Sequence, residues 1–350
     1  MSPCRSGMVK ISLAIALLIG LGPGLARPRS AYAEEADKLL PAETLVAIHF
    51  NLQQLQKSKL FKKYLSEQIT EALRNNEEVQ KFQEQSGIDV LKDIHSISMA
   101  ITKIPQGINL NNPAAVDPKD FELLMIVRGD FSKDRVVKAL KDLEAFDTRK
   151  YQGHVIFVNK ESEEQPGYLC VADDGVILAS NHVSRLHKSL DGLNGTPKPK
   201  GISSDLKAVI EAIPQGQALW FAMTKFQLLK DLAQNDPNAA DFVDKFVGAS
   251  LSIAVTDKVT ASLRAHATDA DAAREFRAGF EKLRAMLALL PLGDPNVGPI
   301  IQEIINGLKT GQKGAIASLE LELNEDALKN IVEQIQRMLG GAVPFPGKVD

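Results

Sequence analysis

The side chains with most chemistry to offer are six histidines: His49, His95, His154, His182, His187 and His266. A metal centre or a general base is built from such groups only when they are paired at ligand spacing or set beside a nucleophile. No H-E-x-x-H or H-x-H pattern joins any two of them. His182 and His187 stand five apart, on different faces of one predicted helix. His49 and His266 fall inside strand-like runs, where a satisfied histidine is the ordinary case. In a hydrolase with a dispersed site, His154 or His49 would serve as the base. Serine has no G-x-S-x-G elbow to sit on, and neither a dinucleotide fingerprint nor a phosphate loop is present. Gly311-Gln-Lys-Gly314 reads as a turn. Asp173-Asp174-Gly175 reads as a hairpin turn rather than a catalytic carboxylate pair. Asn194-Gly195-Thr196 matches a glycosylation sequon, a frequent chance match. No catalytic, metal-binding or cofactor-binding residue is assigned, and no cofactor is expected.

Cysteine is as sparing. Cys4 lies before the first apolar run, and Cys170 sits in Tyr168-Leu-Cys-Val-Ala172, an apolar stretch that reads as a buried strand. A reactive thiol needs a polar setting that lowers its pKa, which that stretch does not supply. Packing, not disulfides, must hold the fold.

The N-terminus reads as an address. Arg5 and Lys10 precede the apolar run Ile11–Gly22, Pro23-Gly24 breaks it, and Ala31-Tyr32-Ala33 stands before Glu34. This order predicts a secretory signal peptide over residues 1–33, with the small residues Ala31 and Ala33 marking cleavage before Glu34. The run is shorter than the ~20 residues a bilayer span requires. A retained N-terminal anchor is the alternative reading, since Arg27 and Arg29 lie close to the cut, and Met8 is a second candidate start. Without the leader's four basic residues the chain carries 37 basic and 44 acidic groups, a net charge of −7. That balance argues against nucleic acid or anionic lipid headgroups as the main partner. The full 350 residues, 44% hydrophobic and 24% charged, have globular composition and room for two domains.

The positioning elements repeat. Leu45–Asn51 and Ala218–Thr224 are strand-like, each entered four residues after a proline (Pro41, Pro214). Ile97-Ser-Met-Ala-Ile-Thr102 recurs as Leu251-Ser-Ile-Ala-Val-Thr256. Leu123–Arg128 leads through a Ser132 cap into a helix from Asp134 to Leu143. Its counterpart Thr260–Ala267 leads through Thr268, with Asp271 three residues on, into a helix from Asp271 to Leu290. The strands Tyr168–Ala172 and Val176–Ser180 with the helix His182–Leu193 correspond to Gly314–Leu323 with Asp326–Leu339. Apolar stripes at Phe276, Phe280, Leu283, Leu287 and Leu290, and from Val297 to Leu308, predict helices laid on a sheet. Lys57–Gln85 predicts a charged helical stretch divided at Asn75-Asn76 and ended by Gly87. The hairpin signal implies antiparallel strands, so the fold class is α+β: two similar modules of largely antiparallel sheet covered by helices. The boundaries are a first module over 34–193, a linker over 194–203, a second module over 204–340 and a tail over 341–350. Pro105–Asp120 and Gly293–Gly298 read as surface loops.

Leu40-Pro41-Ala42-Glu43-Thr44-Leu45, Ser58-Lys-Leu-Phe-Lys-Lys63 and Ser86-Gly-Ile-Asp-Val-Leu-Lys-Asp-Ile94 carry a resemblance. The chain resembles large secreted proteins of unknown function from planctomycete-type bacteria, best over residues 39–102. The resemblance implies an exported, duplicated α+β protein. It brings no catalytic residue, because its motifs are structural: Pro41 enters a strand, Gly87 ends a helix and Asp89 caps the next turn. The expectation is therefore a non-catalytic binding or scaffolding protein of the periplasm or cell envelope. Its partner would be an envelope protein or an apolar ligand, held in a groove between modules or on the helix-covered sheet. A hydrolase and a periplasmic lipid carrier are the alternatives. No nucleic acid and no stable membrane span are expected of the mature chain.

Overall fold

The computed structural model describes residues 39–64, 66–105, 120–143, 145–159, 166–195, 201–225, 237–289 and 298–330. The predicted leader with Ala31, Ala33 and Glu34 lies outside them, as do the tail, most of both predicted loops and the last helix beyond residue 330. The chain divides into two compact units, one holding residues up to Gln56 and Ser66–Ser204, the other Lys57–Leu65 and the chain from Asp205 onward.

The first unit is built on strands β1 (Val46–Asn51), β2 (Ile94–Lys103), β3 (Glu122–Gly129), β4 (Phe146–Tyr151), β5 (His154–Asn159), β6 (Tyr168–Asp173) and β7 (Val176–Ser180). They lie in the order β1-β2-β3-β7-β6-β5-β4, every pair antiparallel. The hairpin at Asp173-Asp174-Gly175 forms as its sequence predicts, with Gly175 at φ +70°. A Cβ on Gly175 would stand 2.2 Å from the Gly129 carbonyl oxygen, so only glycine fits. The hairpin β4–β5 was not foreseen. Its turn is Gln152-Gly153, both at positive φ, and the strongly charged β4 lacks the apolar alternation that marks a strand.

Among the described residues the helices of this unit are α1 (Leu52–Lys57), α3 (Ser66–Arg74), α4 (Glu77–Ser86), α5 (Val90–Asp93), α6 (Lys133–Lys141) and α7 (Val183–Asn194). Short α2 (Lys59–Tyr64) interrupts them and belongs to the second unit apart from its neighbours. The charged stretch holds α2, α3 and α4, with Asn75-Asn76 dividing the last two as the sequence indicates. Gly87 ends α4 at φ +67°, and Asp89 caps α5 by accepting from Leu91 N and Lys92 N, as the sequence indicates. One core of the unit packs Val136 and Leu140 of α6 with Ile88, Phe131, Phe157 and Val171.

The second unit carries α8 (Ser204–Glu211), β8 (Leu219–Thr224), α9 (Pro237–Lys245), β9 (Phe246–Val255), β10 (Val259–Ala267), α10 (Ala270–Ala288), α11 (Gly298–Gly307), β11 (Leu308–Lys313) and β12 (Ile316–Leu323). The strand order is β8-β9-β10-β12-β11, again antiparallel. This is the order β1-β2-β3-β7-β6 of the first unit, strand for strand, with a helix after the third strand in each. The first unit adds β4–β5 where the second has α11. Three corrections follow. Leu308 opens a strand rather than closing a helix, and Gly311–Lys313 is strand, with the turn starting only at Gly314. Helix α10 is capped not by Thr268 but by Asp269, whose carboxylate accepts from Asp271 N at 2.9 Å and Ala272 N at 2.8 Å.

Candidate functional site

The six histidines are not brought together. Among the described residues no three His, Cys, Asp or Glu side chains are grouped so as to hold a metal ion.

His49 comes nearest to a catalytic arrangement. It lies on β1 directly opposite Ser98 on β2, which puts its Nδ1 2.9 Å from the Ser98 hydroxyl. That is the reach of a base toward a nucleophile. The surroundings oppose the role. Ser98 is 3% exposed and His49 8%, so no substrate carbonyl reaches the hydroxyl while the sheet is intact. Burial, and then the positive charge of Arg128, pull the imidazole down to about 4, which makes it a poor proton acceptor.

The other histidines are structural. His95 Nε2 lies 3.0 Å from an Asp130 carboxylate oxygen, tying β2 to the turn after β3. His182 stands at the N-cap of α7 without a side-chain capping bond. His187 stacks on Tyr151 with ring centroids 3.6 Å apart. His266 is buried in β10, its Nε2 carries no hydrogen bond, and burial lowers it to about 4. His154 opens β5, where burial and then Lys133 lower its pKa while a side-chain hydrogen bond with Asn194 opposes them. Asn194 also donates to Gln152 Oε1 at 2.9 Å, so the sequon asparagine is part of a hydrogen-bonded corner. Cys170 is fully buried, and desolvation pushes its thiol up to about 11, consistent with a packing role. Asp174 is a structural carboxylate: it accepts from Lys133 N at 2.7 Å, at the start of α6.

What the strands do bring together is an apolar surface, and its placement is unusual. In β1–β3 the face carrying Ala47, His49, Ser96, Ser98, Ala100, Ile126 and Arg128 is buried. The opposite face carries Ile48, Phe50, Met99, Ile101 and Met125, all half-buried, and Leu123, 36% exposed. The register makes this one patch, since Met99 pairs with Ile48 and Met125, and Ile101 pairs with Leu123. Buried Val46, Ile97 and Val127 bound it.

The second unit repeats the inversion. Ala222, Ser250, Ser252 and Ser262 are buried, whereas Leu219, Phe221, Ile253 and Leu263 are half-buried and Leu251 is 39% exposed. Phe221 and Leu263 flank Leu251 on either side, and Leu219 pairs with Ile253. Small side chains on the buried face let a helix come close: a Cβ at Gly248 would lie 2.7 Å from Val209 of α8. In the same layer Arg264, on β10, donates from Nη1 to the carbonyl of Ala212 at the end of α8 at 2.6 Å.

Sequence reasoning missed this surface because alternating large apolar and small polar residues normally send the large ones to the core. A usable signal was the repeat itself. Ser96-Ile-Ser-Met-Ala-Ile-Thr102 and Ser250-Leu-Ser-Ile-Ala-Val-Thr256 keep small residues at the same alternate positions.

The fold defines the chain as an α+β protein of antiparallel sheets with helices laid against them. Among the described residues no helix is long and apolar enough to cross a membrane. No family model and no curated protein matches the chain. Among solved structures it is similar to TP0453 in crystal forms I, III and IV, with TM-scores of 0.41, 0.43 and 0.44 and 8% identity. Those alignments cover 85% of this chain and 96–97% of the other.

Proposed function

We propose that this is an exported protein of the cell envelope that works by binding an apolar ligand or an apolar segment of a partner. The observation that carries the reading is the half-covered apolar sheet face, present at matching strand positions in both units. Large apolar side chains turned to solvent while serines and alanines are buried cost free energy in the isolated chain, and that cost is offset when a ligand covers them. The predicted leader and the planctomycete-type resemblance over residues 39–102 support export. The buried His49–Ser98 pair weighs against the hydrolase alternative.

Native mass spectrometry of the protein recovered from its own envelope tests the reading. A bound apolar species is expected, released on activation and depleted in the Leu123→Asp and Leu251→Asp variants. A chain that is bare in every preparation and whose thermal midpoint ignores added detergent or fatty acid would sink it.

A further inference from the structure

Helix α10 outruns the sheet that it packs on. Its first half is held: Ala272, Ala273 and Phe276 are buried with Phe246, Ala265 and Ala317, and Phe280 packs against them. The same stripe continues at Leu283, but there it is 44% exposed, and beyond it Met286 is 66% and Leu289 83% exposed. From Phe280 to its end at Ala288 the helix runs for roughly 12 Å, and Leu289 is its C-cap residue.

The charges along the helix differ between the halves as well. Arg274 pairs with Asp271 at 2.9 Å, Glu275 with Lys245 at 2.6 Å and Arg277 with Glu281 at 2.9 Å. Lys282 and Arg284 follow without an acidic residue between them and the end of the helix, and among the described residues neither forms an ion pair. On a 3.6-residue helix they project about 100° to either side of Leu283. Met286 and Leu289 turn about 60° and 120° from Leu283 toward the Lys282 side, so the exposed end is an apolar ridge with Lys282 set along it and Arg284 on the side away from Leu289.

We propose that this end of α10 docks on a lipid bilayer surface, with Leu283, Met286 and Leu289 entering the acyl boundary and Lys282 and Arg284 reaching the phosphates. A ridge suits a deformable interface, into which apolar tips sink while long cationic side chains extend back to the headgroups. Charge complementarity is local, since the chain after its predicted leader is acidic. Insertion therefore supplies most of the affinity, and anionic lipid strengthens it only moderately. This surface is separate from the sheet faces, so it stands or falls independently of the proposed ligand.

The test is co-sedimentation of the chain from Glu34 onward, which holds every described residue, with vesicles of phosphatidylcholine alone or mixed with phosphatidylglycerol. Binding to both is expected, stronger on the mixed vesicles. The Leu283→Ser/Met286→Ser/Leu289→Ser variant should bind at least about tenfold more weakly with an unchanged thermal midpoint. Lys282→Gln/Arg284→Gln should lose about fivefold or more on the mixed vesicles alone. If the triple variant fails to fold, Leu289→Ser, at the most exposed position, replaces it. Wild-type chain that stays in the supernatant with both vesicles overturns the proposal. So does equal binding by the apolar variants, or a dimer in sedimentation velocity that those substitutions dissolve while vesicles remain unbound.

Discussion

The hydroxyl of Ser58 donates to the carbonyl oxygen of Thr256 at 2.9 Å, across 198 residues of chain. The Ser58 hydroxyl oxygen in turn accepts from Phe61 N at 3.1 Å, so Ser58 opens α2 and fastens it to the end of β9. Leu60 and Phe61 are 3% and 2% exposed, and Lys63 and Tyr64 both bond Glu325. Residues 57–65, from the first half of the sequence, thus complete the core of the second unit.

Phe61→Ala should therefore destabilise the second unit by about 3–5 kcal/mol, the usual cost of deleting a buried phenyl ring. Hydrogen exchange locates the damage. Protection should fall in Phe246–Val255 and Ile316–Leu323 well before it falls in β2 or β3. Uniform loss through both units would contradict the assignment of this segment.

Much of the strand content could be read from the chain, and the reasons are local. Apolar runs such as Leu123–Arg128 and turn signals such as Asp173-Asp174-Gly175 need no distant partner to be recognised. The duplicated strand order could be read too, because Ile97–Thr102 and Leu251–Thr256 match almost residue for residue. What stayed hidden depends on distant contacts. The placement of α2 is decided by Thr256 and Glu325. Strand β4, Phe-Asp-Thr-Arg-Lys-Tyr, is exposed along its middle and owes its conformation to pairing with β5. The open apolar faces were hidden because alternation shows that a strand has two faces without showing which one the helices cover.

Helix caps separate local from distant information most cleanly. Ser132 occupies the N-cap of α6 but makes no side-chain capping bond, while Asp174 from the β6–β7 turn holds Lys133 N, the first N–H of the helix, at 2.7 Å. Asp174→Ala should cost about 1 kcal/mol in chemical denaturation and Ser132→Ala less than about half of that. The pair Asp269→Ala and Thr268→Ala should show the same asymmetry at α10. Equal losses at Ser132 and Asp174 would mean that the local serine caps the helix after all.

The β4–β5 turn is pinned to α7 by one carboxylate. Asp191 Oδ1 accepts from Tyr151 Oη at 2.8 Å and from Gln152 Nε2 at 2.9 Å, holding Gln152 at φ +46°, a conformation that non-glycine residues avoid. The bond to Asp191 is also the main reason why the Tyr151 phenol titrates above its ordinary value. In Asp191→Ala the Tyr151 titration, followed by ultraviolet absorbance, should move down toward 10. Exchange of the amides of Phe146–Asn159 should rise in parallel. A phenol that stays elevated in the variant would assign its shift to burial instead.

Acid should expose the buried histidines through stability. His49 and His266 are each lowered to about 4 in the folded chain, chiefly by burial, against an ordinary 6.5. Above pH 6.5 both states are neutral and nothing is lost. As pH falls below 6.5 the unfolded chain takes up the protons while the native one refuses them, so stability declines until about pH 4. For one such group the decline is on the order of 3 kcal/mol. Carboxylates held low by cations, such as Glu43 and Glu122, contribute on the acid side of their ordinary 4.5. The interval from pH 6.5 to 4.5 therefore reports mainly on the histidines. His49→Asn should flatten denaturant-derived stability in that interval by about half, and adding His266→Asn should remove most of the remainder. A slope unchanged in the double variant would show that both imidazoles take up protons in the native fold.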